Sequence, residues 1–464
     1  MTALWTSDEI AAATGGQASA AFAVSGVTFD SREVGPGDLF IALKGETTDG
    51  HRFVDGAFAA GAAGAIVESP VDHPHVLVPD SMAALEALGR ASRARSRARI
   101  IGVTGSVGKT GTKEAIAAAL DRFKPGKVHR SVKSYNNHTG VPLSLARMPR
   151  EAEFGIFEMG MNHAGEIAAL TRMVRPHVAV ITTIAPAHIE HLGSMEAIAD
   201  AKAEIFAGLE PGGTAILPFD SAWHDRLAAA AATCAVRAVS FGMGAGADIR
   251  ARDWVVDRDT GGSLITAELG AMTLCFSLAQ PGEHWVANAM AVLAAVQAVG
   301  ADLPAAGLAL AELPGLAGRG ARHVLRVEGG QALLIDESYN ANPASMAATL
   351  AQLGKEPATR RIVVLGAMKE LGEHGPRFHA DLLPHLVAAR IDSAILVGDE
   401  MGALADALSA ATLEHPIDFF HGPSVESARD RVAADIRSGD AILIKGSNSV
   451  GLSRIVTALT GGEV

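Results

Sequence analysis

This sequence has few cysteines and no net positive charge. Its 464 residues include two cysteines, Cys234 and Cys275, so no disulfide framework is indicated. The formal net charge of −12 argues against a general nucleic-acid binder, which needs a basic surface. The start, MTALWTSDEI, lacks the basic and apolar regions of a secretory signal, and no apolar run is long enough to span a bilayer. We therefore expect a cytoplasmic enzyme that has no integral membrane segment and binds no nucleic acid.

The composition is that of an ordinary globular chain, with 48% hydrophobic and 19% charged residues. Its length suits two to four domains with cores of their own. We predict three, over residues 1–98, 99–314 and 315–464. The first boundary lies at the end of an arginine-dense stretch at 90–99, which we interpret as a solvated helix end before a linker; a nucleic-acid patch is the alternative. The second lies within the Pro/Gly-rich stretch 313–318.

Alternating strand and helix patterns predict an α/β fold. The first domain should be small, with a capped helix over 6–16. In the middle third, strands at 99–104, 154–158 and 178–184 and a helix at 110–120 indicate a central parallel sheet. Polar-apolar alternation over 248–278 predicts antiparallel strands added to that sheet. The last third repeats the pattern as a Rossmann-like domain, with Asp336, Gly366, Gly398 and Lys445 at strand ends, where ligands bind in open α/β sheets.

A glycine-rich turn between a predicted strand and a predicted helix is the strongest local signal. It reads Thr104-Gly105-Ser106-Val107-Gly108-Lys109-Thr110, followed by Gly111. Backbone N–H groups of such a turn approach phosphate oxygens, while the lysine neutralises phosphate charge and the Thr110 hydroxyl ligates magnesium. Val103 stands where the strict P-loop pattern has its first glycine, so the shorter T-G-x-x-G-K-T form is the one present. We predict that this loop binds the phosphates of a nucleotide.

Three other residues would have a catalytic or metal-binding role only if the fold places them beside this loop. Glu158 ends a predicted strand, where a carboxylate can hold magnesium, although a solvated strand-end glutamate is equally compatible with the pattern. His188 lies just past another strand, and a lone histidine is more often structural than a metal ligand. Lys202 lies on a predicted amphipathic helix and by itself indicates an exposed lysine.

Taken together, the motifs resemble the Mur ligase family of peptidoglycan synthesis, and the resemblance covers nearly the whole chain. The stretches that carry it, in order, are Asp30-Ser31-Arg32, 36–46, Asp49-Gly50-His51, the phosphate loop, Asn136-Asn137 with 140–143, 158–166, 186–188, Ala201-Lys202 with Glu204-Ile205, 282–284 with 287–289, Asp336 with 338–343, Glu370-Leu371-Gly372 and Lys445-Gly446-Ser447. So many matches in the same order are very unlikely to arise by chance.

The resemblance implies an order of sites along the chain. The first domain would bind a uridine nucleotide, the second ATP, and the third the incoming amino compound. The residues implied for the uridine substrate are Ser31, Arg32, Lys44, Asp49, His51 and Asn137. Those implied for the acceptor are Tyr339, Asn340 and Asn342.

The resemblance also implies roles around ATP. The catalytic residues would be Lys109, Glu158, His188 and Lys202. Two magnesium ions are expected, with Thr110, Glu158, His188 and a carbamoylated Lys202 as their ligands. Asn288 would contact adenine, Arg319 a phosphate and Asp336 the ribose, beside the loop Gly105–Gly111.

The chain departs from the family pattern at four positions. Val107 and Gly111 stand where the family commonly has small polar residues or threonine, which matters little for a loop that binds through backbone N–H groups. Glu337 replaces a usual aspartate. Asn448 stands where arginine is common, so the contacts to the acceptor carboxylate are unassigned.

The implied reaction is amide formation through an acyl phosphate, with ATP as phosphoryl donor. The resemblance is greatest to members that join a UDP-linked tripeptide to D-alanyl-D-alanine, and we expect a monomer. Two alternatives within enzymes are a sister ligase that adds a diamino acid and a folylpolyglutamate synthase. The stretch 338–343 favours the dipeptide-adding type. Outside ligases, a P-loop NTPase used as a switch is the alternative, and the long third domain argues against it.

Overall fold

The first helix begins and ends where its sequence predicts. In the computed structural model, which describes residues 3–45, 48–187, 189–234, 236–257 and 261–461, Thr6 caps this helix and forms a capping box with Glu9. Gly15 ends it in the left-handed conformation, with φ of 67°. Hydroxyl and carboxylate thus satisfy two backbone N–H groups that a helix start leaves without partners.

The first sheet has five strands in the order β2-β7-β6-β5-β4 among the described residues, with a separate antiparallel pair, β1 and β3. The elements are β1 Trp5–Thr6, α1 Ser7–Thr14, β2 Gln17–Ala18, β3 Ala23–Val24, β4 Gly26–Thr28, β5 Asp38–Ile41, α2 Val54–Ala59, β6 Gly64–Val67, β7 His75–Leu77 and α3 Ser81–Arg95. Strands β4 to β7 are parallel, and their buried aliphatic side chains pack against α1 and α3.

The second sheet is the largest and carries the phosphate loop. Its strands are β8 Arg99–Thr104, β9 Val128–Arg130, β10 Phe154–Glu158, β11 Val178–Ile181, β12 Thr214–Pro218, β13 Arg237–Gly242, β14 Ile249–Val256, β15 Ser263–Leu269 and β16 Met272–Leu278. Its helices are α4 Lys109–Phe123, α5 Gly140–Ala146, α6 Glu166–Val174, α7 Ile189–Leu192, α8 Met195–Ala203, α9 His224–Thr233, α10 Glu283–Ala298 and α11 Leu303–Ala311. In the described part of the chain the strand order is β16-β15-β14-β13-β12-β11-β8-β10-β9.

Pairing within this sheet confirms the predicted mixture. Strands β8 to β14 pair in parallel with one another, whereas β14-β15-β16 form an antiparallel meander at one edge. Two large cores pack on its opposite faces, one built around α4 and α10 and the other around α6 and α8. The parallel strands are buried on both faces, as crossover helices require.

The third sheet has the order β17-β18-β22-β19-β20-β21 among the described residues. Its elements are β17 Ala321–Val327, β18 Gly330–Glu337, α12 Pro343–Lys355, β19 Arg360–Gly366, α13 Gly375–Ala380, α14 Leu383–Ala388, β20 Ser393–Val397, α15 Gly402–Ala410, β21 Asp418–Gly422, α16 Val425–Asp435, β22 Asp440–Lys445 and α17 Ser453–Leu459. Only β17 runs antiparallel. The predicted α/β class is confirmed, while the boundaries 1–98, 99–314 and 315–464 stay a prediction.

The arginine-dense helix end corrects one interpretation. We expected a solvated end, but Arg93 is buried and donates hydrogen bonds to the carbonyls of Val174 and Arg175, both at 2.7 Å. The Arg95 guanidinium lies 3.5 Å from the centre of the Trp5 ring. These side chains link α3 to the C-terminal end of α6 and to the N-terminal strand. Spacing along the chain does not reveal such long-range partners.

No helix in the described ranges is both long and apolar enough to cross a membrane.

Candidate active site between the second and third sheets

A cavity of about 530 Å³ lies between the carboxyl ends of the second and third sheets. One wall is the phosphate loop with Glu158 and Asn288, and the other comes from the loops that follow β18, β19 and β22. Strand ends in parallel sheets expose loop residues rather than ladder groups, so both sheets contribute side chains here. The lining brings together these predicted residues: Ser106, Val107, Gly108, Lys109, Gly111, Glu158, Asn288, Arg319, Tyr339, Asn340 and Asn342.

The phosphate loop is held by the end of β11. The Ser106 amide donates to the carbonyl of Thr183 at 2.7 Å, and the Thr182 hydroxyl donates to the carbonyl of Val107 at 2.5 Å. Lys109 donates from Nζ to the carbonyl of Gly105 at 2.7 Å, so its side chain folds back over the loop. Hydrogen bonds within the protein thus hold the loop in a cradle shape.

Two glycines in this segment are required by their neighbours. Gly108 has φ of 84°, a backbone conformation that side chains rarely adopt, and an added Cβ would lie 3.1 Å from Asn288 Oδ1. At Gly111, one of the departures from the family pattern, a Cβ would lie 2.9 Å from the Trp285 ring. The indole thus occupies the space that a larger residue would need, which accounts for that departure.

Glu158 is the centre of a buried hydrogen-bond network. The Thr110 hydroxyl donates to its Oε2 at 2.8 Å, and Asn136 donates from Nδ2 to its Oε1 at 2.8 Å. The Glu158 amide donates to Ser131 Oγ at 3.2 Å. A hydroxyl and a carboxylate oxygen in contact are suitable ligands for magnesium. The described residues contain no cluster of three or more histidine, cysteine or acidic side chains placed to hold a metal.

Lys113, which sequence reasoning missed, lies beneath this network. Its ammonium is fully buried and donates to the carbonyls of Ser131 at 2.7 Å and Lys133 at 2.8 Å. Carboxylate oxygens of Glu114 and Glu158 lie at 3.1 and 3.9 Å. A second lysine four residues after Lys109, on the same helix face, was the available signal.

Lys202 corrects a second interpretation. Taken alone, its pattern indicated an exposed lysine, but the side chain is fully buried and its Nζ has no hydrogen-bond partner. Burial lowers the pKa of this amine well below its ordinary value, and the positive charge of Lys109 adds to the effect. An amine near a second cation is therefore driven towards its neutral, nucleophilic form. His188, the remaining predicted metal ligand, lies outside the described residues.

Charges from both walls act on Lys109. Burial lowers the pKa of its ammonium, Glu158 and Glu370 oppose that shift, and Arg319 reinforces it. Glu370 and Arg319 belong to the third sheet's side of the cavity. The phosphate loop thus lies within electrostatic reach of the opposite wall.

Arg319 crosses from the third domain to the second. Its Nη2 donates to Ser134 Oγ at 3.1 Å, and its guanidinium lies 4.3 Å from the centre of the Tyr339 ring. Asp336 accepts hydrogen bonds from the Gly318 and Ser338 amides at 2.7 and 3.0 Å. This carboxylate holds the backbone beside Arg319 and does not form part of the lining among the described residues. Its predicted ribose contact stays a prediction.

The wall opposite the phosphate loop is rich in amide side chains and lysine. Asn342 caps α12 by accepting from the Ser345 amide at 2.9 Å. The buried Lys445 donates to the carbonyl of Asn340 at 2.9 Å and lies 3.3 Å from Glu337 Oε2. Tyr339 lines the same cavity and presents its ring to Arg319. Its predicted contact with the acceptor stays a prediction.

Predicted residues of the first domain form a separate cluster. Lys44 pairs with Glu68, whose backbone amide donates to His51 Nε2 at 2.9 Å, and His51 Nδ1 lies 2.6 Å from Asp49 Oδ1. The Lys44 ammonium beside it lowers the pKa of Glu68 to about 2. Glu68 is the member that sequence reasoning missed.

Ser31 and Arg32 lie on another loop, between β4 and β5. The Arg32 guanidinium is largely exposed and donates to Asp30 at 2.6 and 2.9 Å. As far as the chain is described, the cavity lining includes neither this loop nor the Lys44 cluster.

The paired asparagines make different contacts. Asn137 Oδ1 accepts hydrogen bonds from the Gly140 amide and the Thr139 hydroxyl at 2.9 and 3.0 Å and so shapes the turn into α5, and its predicted substrate contact stays a prediction. Its neighbour Asn136 is the one that reaches Glu158 and lines the cavity. Neighbours in a loop of this kind cannot be distinguished without the backbone path.

Three family models match the chain and together cover most of it. Residues 23–118 match the Mur ligase family, catalytic domain; residues 103–296 match the Mur ligase middle domain; and residues 323–448 match the Mur ligase, glutamate ligase domain.

Similar proteins extend these matches over nearly the whole chain. The UDP-N-acetylmuramoyl-tripeptide--D-alanyl-D-alanine ligase of Synechocystis is 38% identical over 94% of this chain and 92% of its own. MurF from Acinetobacter baumannii has a TM-score of 0.84 at 29% identity, with 98% and 99% coverage. MurF ligase from Thermotoga maritima, in complex with ADP, has a TM-score of 0.77 at 27% identity, with 95% and 98% coverage. The chain belongs to the Mur ligase family.

Proposed function

We propose that this chain is an ATP-dependent ligase that joins UDP-N-acetylmuramoyl-tripeptide to D-alanyl-D-alanine through an acyl phosphate, in peptidoglycan precursor synthesis. One observation carries the proposal: a phosphate loop whose Lys109 lines one cavity faces, across that cavity, a third-domain wall rich in amide side chains. The activity named for its relatives supplies the substrates. Cytoplasmic location, a monomeric state and the three domain boundaries are proposed with it.

ATP would lie along the phosphate loop, with its phosphates on the backbone amides of Gly105–Gly111. The folded-back Lys109 ammonium is placed to neutralise charge that develops on the transferred phosphoryl group. Asn288, packed beside Gly108, would contact adenine, and Arg319 would contact a phosphate. Asp336 would contact the ribose. Because Arg319 comes from the third domain, phosphate contacts would be complete only when the two walls approach.

Magnesium would be held by Thr110, Glu158 and His188, the first two of which are already in contact. When bound, it would neutralise phosphate charge and help to align the reacting oxygens. A second ion would be held by Lys202 as a carbamate. The buried, unpartnered Lys202 amine fits that modification, because carbon dioxide reacts with neutral amines and the product carries a negative charge beside Lys109.

The other two substrates would approach from opposite sides. The uridine diphosphate part would be held in the first domain by Ser31, Arg32, Lys44, Asp49 and His51, with Asn137 at its border. The dipeptide would enter between Tyr339, Asn340 and Asn342. The tripeptide carboxylate would attack the γ-phosphorus, the bond to the bridging oxygen would break, and ADP would leave. The dipeptide amine would then displace phosphate from the acyl phosphate. Water must be excluded while that intermediate exists.

A competition assay tests the proposal. Purified protein receives UDP-linked tripeptide and ATP with equal amounts of D-alanyl-D-alanine, meso-diaminopimelate, lysine and glutamate, and mass spectrometry identifies the products. We expect one new peptide bond, to the dipeptide. Preferential ligation of a single amino acid would move the chain to a sister ligase, and use of a folate in place of the UDP-peptide would overturn the first-domain assignment.

A further inference from the structure

Glu370 lines the cavity from the loop that follows β19, and no role has yet been given to it. Its negative charge acts on the Lys109 ammonium, so the carboxylate lies within electrostatic reach of the phosphate loop. The third sheet's side of the cavity therefore places a carboxylate near the position where an acyl phosphate would form.

The backbone at this residue is held in an unusual conformation. Glu370 has φ of 63°, in the left-handed region that side chains other than glycine seldom adopt. Neighbouring bonds hold the segment in place: the Lys369 amide donates to Ser447 Oγ at 3.0 Å, and the Met368 amide donates to His379 Nε2 at 2.9 Å. Strain of this kind persists where surrounding structure enforces it, and functional sites are its common location.

The acceptor chemistry supplies a need for such a group. The α-amine of a dipeptide has a pKa of about 8, so at neutral pH it arrives mainly as an ammonium that cannot attack. A base within hydrogen-bond reach must remove a proton. Glu337 is another carboxylate on the described part of this wall, but its Oε2 lies 3.3 Å from the buried Lys445 ammonium, and the amide side chains are not bases.

We propose that Glu370 is the catalytic base that binds the acceptor's ammonium and takes its proton, an inference that rests on the proposed ligase function. One N–H proton passes to a Glu370 oxygen, and the nitrogen lone pair forms the new C–N bond to the acyl carbon. The C–O bond to phosphate then breaks, and its electron pair leaves on phosphate. The second proton lost by nitrogen goes to that phosphate, so the products are the amide, hydrogen phosphate and protonated Glu370.

Two variants separate chemistry from structure. Glu370→Gln keeps the side-chain shape and should lower the ligation rate about 10²–10⁴-fold at pH 7. Glu370→Gly suits the positive φ, so it should melt no lower than the parent protein while losing ligation to a similar extent. Glu373→Gln, an exposed carboxamide in the same segment, is the matched control and should ligate normally.

The decisive readout replaces the dipeptide with hydroxylamine, which is a neutral nucleophile at pH 7. Hydroxamate formation from UDP-linked tripeptide and ATP should be nearly equal in the parent protein and in Glu370→Gln, because the acyl phosphate still forms and no proton need be removed first. The ligation defect should also shrink as pH rises through about 8. Equal loss with both nucleophiles, or a defect that does not change with pH, would overturn the role. Absence of hydroxamate from the parent protein would instead contradict the ligase function itself.

Discussion

Lys113 and Lys202 are both fully buried, but their surroundings are opposite. The Lys113 ammonium donates to two backbone carbonyls and lies near the carboxylates of Glu114 and Glu158. The Lys202 amine has no hydrogen-bond partner, and its pKa is driven down by burial and by Lys109.

The difference distinguishes a structural cation from a reactive amine. A buried charge is stable where hydrogen bonds and counter-charges replace water, which describes Lys113. A buried amine without partners stays neutral or acquires a group that supplies them, which describes Lys202. The first should support the fold and the Glu158 network, and the second should serve the reaction.

The largest effect is expected at Lys202. Lys202→Ala should be nearly inactive, with ligation lowered by about 10²–10³-fold or more, because a negative group beside the phosphates is lost. Short carboxylic acids added to the variant should restore part of the rate by occupying the vacated space. Steady-state ligation with and without acetate measures both. A fully active Lys202→Ala would mean that this amine is only a packing group.

Lys109 provides the next test, since its charge acts on Lys202. Lys109→Ala should lower the ligation rate on the order of a hundredfold through loss of charge stabilisation, with an unchanged circular dichroism spectrum. Near-normal turnover by the folded variant would remove the phosphate-loop assignment.

When stability is measured instead of activity, substitution of Lys113 should have the larger effect and substitution of Lys202 the smaller. Lys113→Met removes the partner of two carbonyls and leaves Glu158 without its counter-charge, so the free energy of unfolding should fall by about 3–5 kcal/mol. Lys202→Met replaces an unpartnered amine with an apolar chain of similar length and should change it little or raise it. Urea titrations of both variants measure the contrast. Equal destabilisation would mean that the hydrogen bonds of Lys113 contribute nothing special.

The smallest effect is a pH dependence. The folded-state pKa of Lys202 lies below its ordinary value of 10.5, so between those two values the unfolded chain binds more protons. Stability of the parent protein should therefore rise with pH across that window and level off above 10.5, relative to Lys202→Met. Parallel urea titrations in carbon dioxide-free buffer from about pH 8 to about pH 10 test the sign. If the free energies of unfolding of the parent protein and of Lys202→Met changed with pH in parallel, the lowered pKa of Lys202 would be contradicted.

Most of the fold could be predicted from short-range patterns in the sequence. Thr6 with Glu9 and Gly15 determine a helix through bonds within a few residues, and the phosphate loop joins β8 to α4 by the same short-range logic. Runs of buried aliphatic residues marked the strands that end at Glu158 and Lys445.

Contacts between residues that lie far apart along the chain could not be predicted from the sequence. The Trp5 ring beneath Arg95 depends on how α3 returns to the N-terminal strand. Likewise, the burial of Lys202 and the approach of Glu370 to Lys109 depend on the packing of whole sheets. These are tertiary contacts, and residue type alone does not encode them.

The most direct test of the central claim is the stoichiometry of ADP release and ligation in one reaction. With UDP-linked tripeptide, ATP and D-alanyl-D-alanine, we predict one ADP for each new peptide bond, and very little ADP when the dipeptide is omitted. ADP release at the same rate without any amine acceptor, and without a ligated product, would contradict the account and indicate a nucleotide-hydrolysing switch.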